Sequence, residues 1–96
     1  MRDNVTNMPY LRSMNKARTN LQSRVQMLSN EYQRLMAERN SLVKRGREYI
    51  TRAKQSENEL LLSKGKLFVM KANDLSRKMD SIYQEYQKAE RELERM

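Results

Sequence analysis

The stretch Gln55-Ser56-Glu57-Asn58-Glu59 decides the fold of this chain. It contains no apolar residue, and it separates two segments in which apolar residues recur with a heptad spacing. Ser56, followed three residues later by Glu59 and then directly by Leu60, has the pattern of a capping box at the start of a helix. Ser and Glu also occur inside long helices. The cap alone therefore leaves a turn and an uninterrupted helix as equal alternatives.

Apolar rows flank the polar stretch on both sides, in the alternating four-and-three spacing of a coiled-coil stripe. Before the stretch, Arg18 and Arg39 stand in the stripe, and we expect their aliphatic stems to cross it with the guanidinium in water. After the stretch the stripe resumes one residue out of phase. The rows of the first half are Met14, Leu21, Leu28, Leu35, Leu42, Tyr49 and Val25, Tyr32, Gly46, Ala53; those of the second half are Leu61, Phe68, Leu75, Ile82, Ala89, Met96 and Gly65, Ala72, Met79, Tyr86, Leu93.

A turn near residue 56 would pair residues whose numbers add to a constant. Leu28 and Ile82 add to 110, and Gly46 and Gly65, the only two glycines, add to 111. We take the row of Leu28, Leu35 and Leu42 as the d positions of the heptad. In this register the g positions beside the seam form three successive pairs of opposite charge, followed by a like-charged one: Arg24 with Glu85, Glu31 with Lys78, Glu38 with Lys71, then Arg45 with Lys64. Because each exposed ion pair contributes only ~0.2–1 kcal/mol, these pairs specify register more than stability.

These patterns predict an all-α fold: an antiparallel helical hairpin, a two-helix coiled coil, that turns near residues 54–58. Two continuous helices in an antiparallel homodimer would make the same pairs between chains. The polar interruption, the cap and near-equal arms favour the hairpin. Residues 1–8 are predicted to be a flexible N-terminus, Pro9 to lie in the first turn of a helix, and residues 9–96 to form one domain. Two hairpins could dimerise into a four-helix bundle.

Composition argues against an enzyme. The chain has no cysteine and no histidine, no Gly-rich phosphate loop, and no concave site is expected on a slender hairpin. We therefore expect no catalytic residue, no cofactor and no metal site. No apolar run approaches the roughly 18 residues that span a bilayer, and the N-terminus lacks the apolar core of a signal peptide. A soluble, cytoplasmic protein without a transmembrane segment is expected.

The e positions of both arms carry the candidate protein interface. In an antiparallel pair these two rows lie on one side of the seam, and near the turn they are apolar. A two-helix hairpin cannot bury such a patch alone, and exposed patches usually mark interfaces. A second copy or a helix of another protein could cover it, whereas the alternative is that the residues widen the seam. The five interface residues are Met36, Val43, Ile50, Leu62 and Val69.

A net charge of +8 favours acidic partners, including nucleic acid and anionic lipid. One basic run lies beside the apolar patch, and a second lies nearer the N-terminus. Stacking aromatic residues and convergent side chains would be needed for a nucleic-acid site, and a solvated helix surface is the alternative. The candidate anion or nucleic-acid contacts are Lys44, Arg45, Arg47, Arg52 and Lys54, and the second run is Arg12, Lys16, Arg18 and Arg24.

Three functions remain open from the sequence. The first is a non-enzymatic coiled-coil interaction protein: a small subunit, adaptor or chaperone of a larger assembly that works by helix–helix packing. The second is an oligomeric basic protein that binds nucleic acid or anionic surfaces. The third is a small helical-hairpin secretion substrate or a secretion chaperone. Tyr86-x-x-x-Glu90 has the spacing of the tail signal of such substrates, but their Trp-x-Gly turn is absent here.

Overall fold

Two long helices pack side by side in an antiparallel hairpin. The computed structural model describes residues 2–96, with side chains described from Arg12 onward. Helix α1 spans Arg2–Ser56 and helix α2 spans Glu59–Glu94, and the part of the chain described contains no strand. The hairpin measures 81 × 14 × 14 Å. The all-α hairpin predicted from the sequence is confirmed.

The two arms differ in length. Helix α1 has 55 residues and α2 has 36, so the arms are not near-equal as the sequence suggested. Part of the difference arises because α1 begins at Arg2, which places Pro9 inside the helix and not in its first turn. The rest arises because α1 continues to Ser56 and α2 begins only at Glu59. The predicted flexibility of residues 1–8 stays a prediction. Met1 lies outside the described residues, and no side chain is described in the rest of that segment.

The turn consists of Glu57 and Asn58. Glu57 has a φ of 51°, and the backbone N–H of Asn58 donates to the carbonyl of Ala53 at 3.1 Å. A left-handed residue followed by this hydrogen bond is the Schellman ending of a helix. A non-glycine residue in the left-handed region is strained by roughly 1–2 kcal/mol, so Glu57 is held there by the pairing of the two helices.

Asn58, and not Ser56, caps the second helix. The side-chain oxygen of Asn58 accepts from the backbone N–H groups of Leu60 and Leu61, at 3.0 and 3.3 Å. These are the second and third helical positions, the usual donors to an N-cap. Ser56 instead donates its hydroxyl to the carbonyl of Arg52 at 2.7 Å, inside α1. The predicted Ser56–Glu59 capping box is therefore wrong, although the turn lies where that pattern suggested.

The core is a narrow seam between the two helices. Within residues 12–96, the buried apolar side chains all belong to the rows read from the sequence: Leu28, Leu35, Ala53, Ala72, Met79 and Ala89. Other row members, including Leu42 and Phe68, are only half-buried. Because a pair of helices has no third element to cover it, the seam residues keep an exposed edge on both sides. This geometry leaves only a few side chains of residues 12–96 buried.

Gly46 and Gly65 face each other, as the register predicts, and mark a close approach of the two backbones. A Cβ atom at Gly46 would lie 3.0 Å from the carbonyl oxygen of Gly65. A Cβ atom at Gly65 would lie 2.9 Å from the carbonyl oxygen of Gly46. These distances are shorter than ordinary van der Waals contact, so only glycine fits at both positions without moving a helix.

One of the three predicted charge pairs beside the seam forms an ion pair. Arg24 lies 3.9 Å from Glu85 across the two helices. Glu38 instead pairs with Arg34 of its own helix at 3.8 Å, and no ion pair joins Glu31 to Lys78 among the described side chains. Arg24 and Glu85 are more than half exposed, so their pairing contributes little free energy and serves mainly to select the register.

Candidate interaction surfaces

The five e-position residues lie on one side of the hairpin, and all five are half-buried. Two of them fill the space that the glycines leave. Ile50 Cγ1 lies 2.7 Å from the position of a Cβ atom on Gly65, and Val69 Cγ2 lies 3.0 Å from that on Gly46. Ile50 and Val69 therefore contribute to the seam as well as to the surface beside it.

Val43 lies in an open groove of about 870 Å³ on this side of the seam, which extends over the outer face of α1. The groove floor includes Ala72, which is only 1% exposed. Ala72 faces Arg39 in the predicted register, and the small side chain leaves room for the arginine stem. Arg39 is half-buried, and its guanidinium donates to Asn40 at 3.1 Å. The stem thus covers the seam while the charge stays at the rim.

Only part of the basic run shares one groove. At ~100° of rotation per residue, Arg45 and Arg52 lie on one side of α1 and Arg47 and Lys54 on nearly the opposite side. Lys44, Arg47 and Arg52 line the large groove, whereas Arg45 and Arg52 border a smaller one near Tyr49 and Phe68. None of the five forms an ion pair with a carboxylate in residues 12–96. The run therefore spreads over more than one side of α1, and only Lys44, Arg47 and Arg52 line the large groove.

Aromatic side chains near the basic run pack on each other. The rings of Tyr49 and Phe68 stack with centroids 5.4 Å apart and planes 9° from parallel. Since each ring already has a stacked partner, neither presents both faces to an unpaired base. The N-terminal basic residues Arg12, Lys16, Arg18 and Arg24 are all exposed, and Arg24 is engaged with Glu85.

A second apolar surface, which the sequence reading missed, lies on the outer face of α2. Leu60 is 68% exposed, Leu67 is 56% exposed and Met70 is 60% exposed. At ~100° per residue these three side chains fall within an arc of about 80°, on the side of α2 away from α1. Heptad analysis assigns the seam and leaves its remaining positions as solvent-facing. The sequence did contain a signal for this surface: three positions outside the seam, where polar residues are expected, are apolar.

Tyrosines form a small cluster farther from the turn. The ring of Tyr83 lies 5.9 Å from that of Tyr32 and 6.5 Å from that of Tyr86. The hydroxyl of Tyr86 donates to the Glu90 carboxylate at 2.6 Å, and this hydrogen bond raises the pKa of Tyr86 above its usual value near 10. Tyr86 and Glu90, which have the spacing of the secretion tail signal, are thus hydrogen-bonded to each other within helix α2.

Neither helix contains, within residues 2–96, a segment both long and apolar enough to cross a bilayer. No protein-family model matches the chain, and neither a curated protein nor a solved structure shows significant similarity to it.

Proposed function

We propose that the chain is a non-enzymatic coiled-coil interaction protein, which acts as a small subunit, adaptor or chaperone within a larger protein assembly. The observation that supports this most directly is the half-buried apolar row of Met36, Val43 and Leu62. These side chains lie beside the seam and face water in the isolated hairpin. A helix packed along this side would bury them and complete a three- or four-helix arrangement.

A double substitution on this side separates association from folding. Met36→Glu with Val43→Glu adds two carboxylates that a partner helix would have to desolvate, which opposes binding by several kcal/mol. Unlike Ile50 and Val69, neither residue is among the nearest neighbours of the Cβ positions at Gly46 and Gly65, where the two helices approach most closely. We expect the helical signal in circular dichroism to be largely retained, while self-association in sedimentation, or binding to a partner, is lost.

The matched control is Ala37→Glu with Ser41→Glu, which adds the same charge at exposed positions of the same helix. The control should fold and associate like the unmodified chain. If the Met36 and Val43 variant also associates normally, these residues only widen the seam and the proposal fails. If that variant unfolds while the control folds, the surface is needed for folding itself.

Nucleic-acid or anionic-surface binding is the second candidate, and the groove lined by Arg39, Lys44, Arg47 and Arg52 favours it. The distribution of the basic run around α1 and the mutual stacking of Tyr49 with Phe68 count against a base-reading site. Such binding would weaken steeply as salt rises. Absence of binding to DNA, RNA and anionic vesicles at low salt would remove this candidate.

A further inference from the structure

The exposed apolar residues on the outer face of α2 define a stripe: Leu60, Leu67 and Met70. It runs from residue 60 to residue 70, about 15 Å of helix at 1.5 Å per residue. The stripe belongs neither to the seam nor to the e-position side. Scattered exposed apolar residues are ordinary, but three that share one helix face can contact a single partner helix. Its length equals about three helical turns.

Lysines border the stripe on both sides. Lys64 and Lys71 lie between it and the seam, and Lys66 lies on its far side. All three are exposed, and none forms an ion pair with a carboxylate in residues 12–96. Lys71 loses its predicted partner because Glu38 pairs with Arg34, and Lys64 faces Arg45, a like charge. Glu59 precedes Leu60 and Asp74 lies one heptad beyond Leu67, but Asp74 pairs with Arg77 and neither carboxylate forms an ion pair with these lysines. The lysine charge along the stripe is therefore not neutralised by an ion pair within residues 12–96.

From this combination we infer that the outer stripe of α2 docks an acidic amphipathic helix of another protein. Leucine or similar side chains of that helix cover Leu60, Leu67 and Met70. Carboxylates on either side of its apolar face lie against Lys64, Lys71 and Lys66. Helix-in-groove and helix-on-helix recognition uses such regularly spaced anchors, and complementary charge at the rim sets orientation and partner choice.

Two other occupants fit the stripe less well. A second copy of this chain would bring the same lysines against each other. Nor does a second copy offer an acidic apolar stripe that would complement these lysines. The other large apolar side chains exposed in residues 12–96 form no such stripe; they are Met14, Met27, Tyr83 and Met96. Nucleic acid would use the lysines but not the aliphatic side chains, and the stripe contains no aromatic ring for stacking. The surface thus matches an acidic helix in both its apolar and its charged parts.

Site-specific photo-crosslinking tests the inference. Leu67 is replaced in the full chain by a photoreactive phenylalanine analogue, the protein is expressed in its source cell, and the crosslinked peptide is sequenced by mass spectrometry. The control carries the same analogue at Ser81, which is exposed on the same face of α2 two heptads farther on. We expect position 67, and not position 81, to crosslink to a peptide with apolar residues at helical spacing and flanking Asp or Glu.

A synthetic copy of the crosslinked peptide then gives the affinity by fluorescence anisotropy. Lys64→Glu with Lys71→Glu should weaken binding about tenfold or more, because two attractive charges become repulsive. The control Lys16→Glu with Lys88→Glu makes the same charge change at exposed positions remote from the stripe, and should leave the affinity unchanged. Circular dichroism of each variant checks that the hairpin is folded.

Several results would overturn the inference. These are no crosslink at position 67, equal crosslinking at position 81, a crosslink to a second copy, to nucleic acid or to lipid, or a peptide without acidic residues. Equal weakening by the two lysine variants would also overturn it. The Met36→Glu and Val43→Glu variant should still crosslink from position 67, since the two surfaces lie on different sides. Failure of the e-position proposal and failure of this one are thereby distinguished.

Discussion

At the turn, single side chains decide where one helix ends and the next begins. Asn58 satisfies two of the unpaired N–H groups at the start of α2, whereas the Ser56 hydroxyl bonds back within α1. We therefore expect Asn58→Ala to lower the free energy of unfolding by about 0.5–2 kcal/mol. Ser56→Ala should be neutral or slightly stabilising, because alanine has the higher helix propensity. Urea denaturation followed by circular dichroism measures both changes in stability. If Ser56→Ala were the more destabilising substitution, Ser56 and not Asn58 would be the cap of α2.

The hydrogen bond between Tyr86 and Glu90 makes a small part of the hairpin's stability depend on pH. Glu90 accepts from the neutral phenol, so the folded state holds the tyrosine proton more tightly than the unfolded chain does. The raised pKa of Tyr86 means that this contribution is fully present below pH ~10 and is lost as the pH rises through the folded-state value. Near neutral pH the bond is intact and the pair stays engaged.

At the scale of the helices, the glycine crossing sets their separation. Gly65→Ala should gain about 1 kcal/mol of helix propensity. The new Cβ atom would, however, lie 2.7 Å from Ile50 Cγ1 and 2.9 Å from the carbonyl oxygen of Gly46. Because the second contact is with backbone, relief requires the helices to move apart, and overpacking of this kind costs roughly 1–3 kcal/mol. We expect a net loss of stability, measured as a lower midpoint of thermal unfolding.

Two comparisons make the glycine prediction specific. Gly46→Ala should cost less, because its shortest contacts are 3.0 Å. Ser63→Ala, at an exposed position of α2, tests helix propensity alone and should stabilise by a few tenths of a kcal/mol. If Gly65→Ala raised the midpoint as Ser63→Ala does, the close approach at the crossing would be absent in solution.

How far the sequence could predict this arrangement depends on the kind of signal. The seam and its register follow from heptad spacing, and Gly46 opposite Gly65 follows from the same arithmetic. The cap could not be assigned, because Ser and Asn are both good caps and the choice depends on the left-handed conformation of Glu57. The sequence could also have shown that the basic run points in different directions around α1, because successive residues of a helix are rotated by ~100°. The outer stripe of Leu60, Leu67 and Met70 was overlooked because heptad reasoning assigns those positions to solvent.

For the whole molecule, the central question is whether the two stripes pair within one chain. An antiparallel dimer of unbroken helices would match the same residue numbers. However, the second stripe resumes out of phase with the first, and each residue of shift rotates it by ~100°. A continuous helix would therefore present its two stripes in different directions, and a straight partner helix could not cover both. The turn at Glu57 and Asn58 removes this conflict, because each helix can then rotate about its own axis until its stripe faces the other helix.

Small-angle X-ray scattering distinguishes these arrangements by length. A hairpin should give a longest dimension near 81 Å and, as a monomer, a radius of gyration near 22.7 Å. Hairpins that associate side by side through the e-position surface would keep this length and gain only cross-section as concentration rises. Unbroken helices would instead extend to roughly 140 Å at 1.5 Å per residue. A rod of that greater length at every concentration would refute pairing within the chain. The predicted result is a constant length across a dilution series, because the turn and the rotation of the stripes belong to each molecule separately.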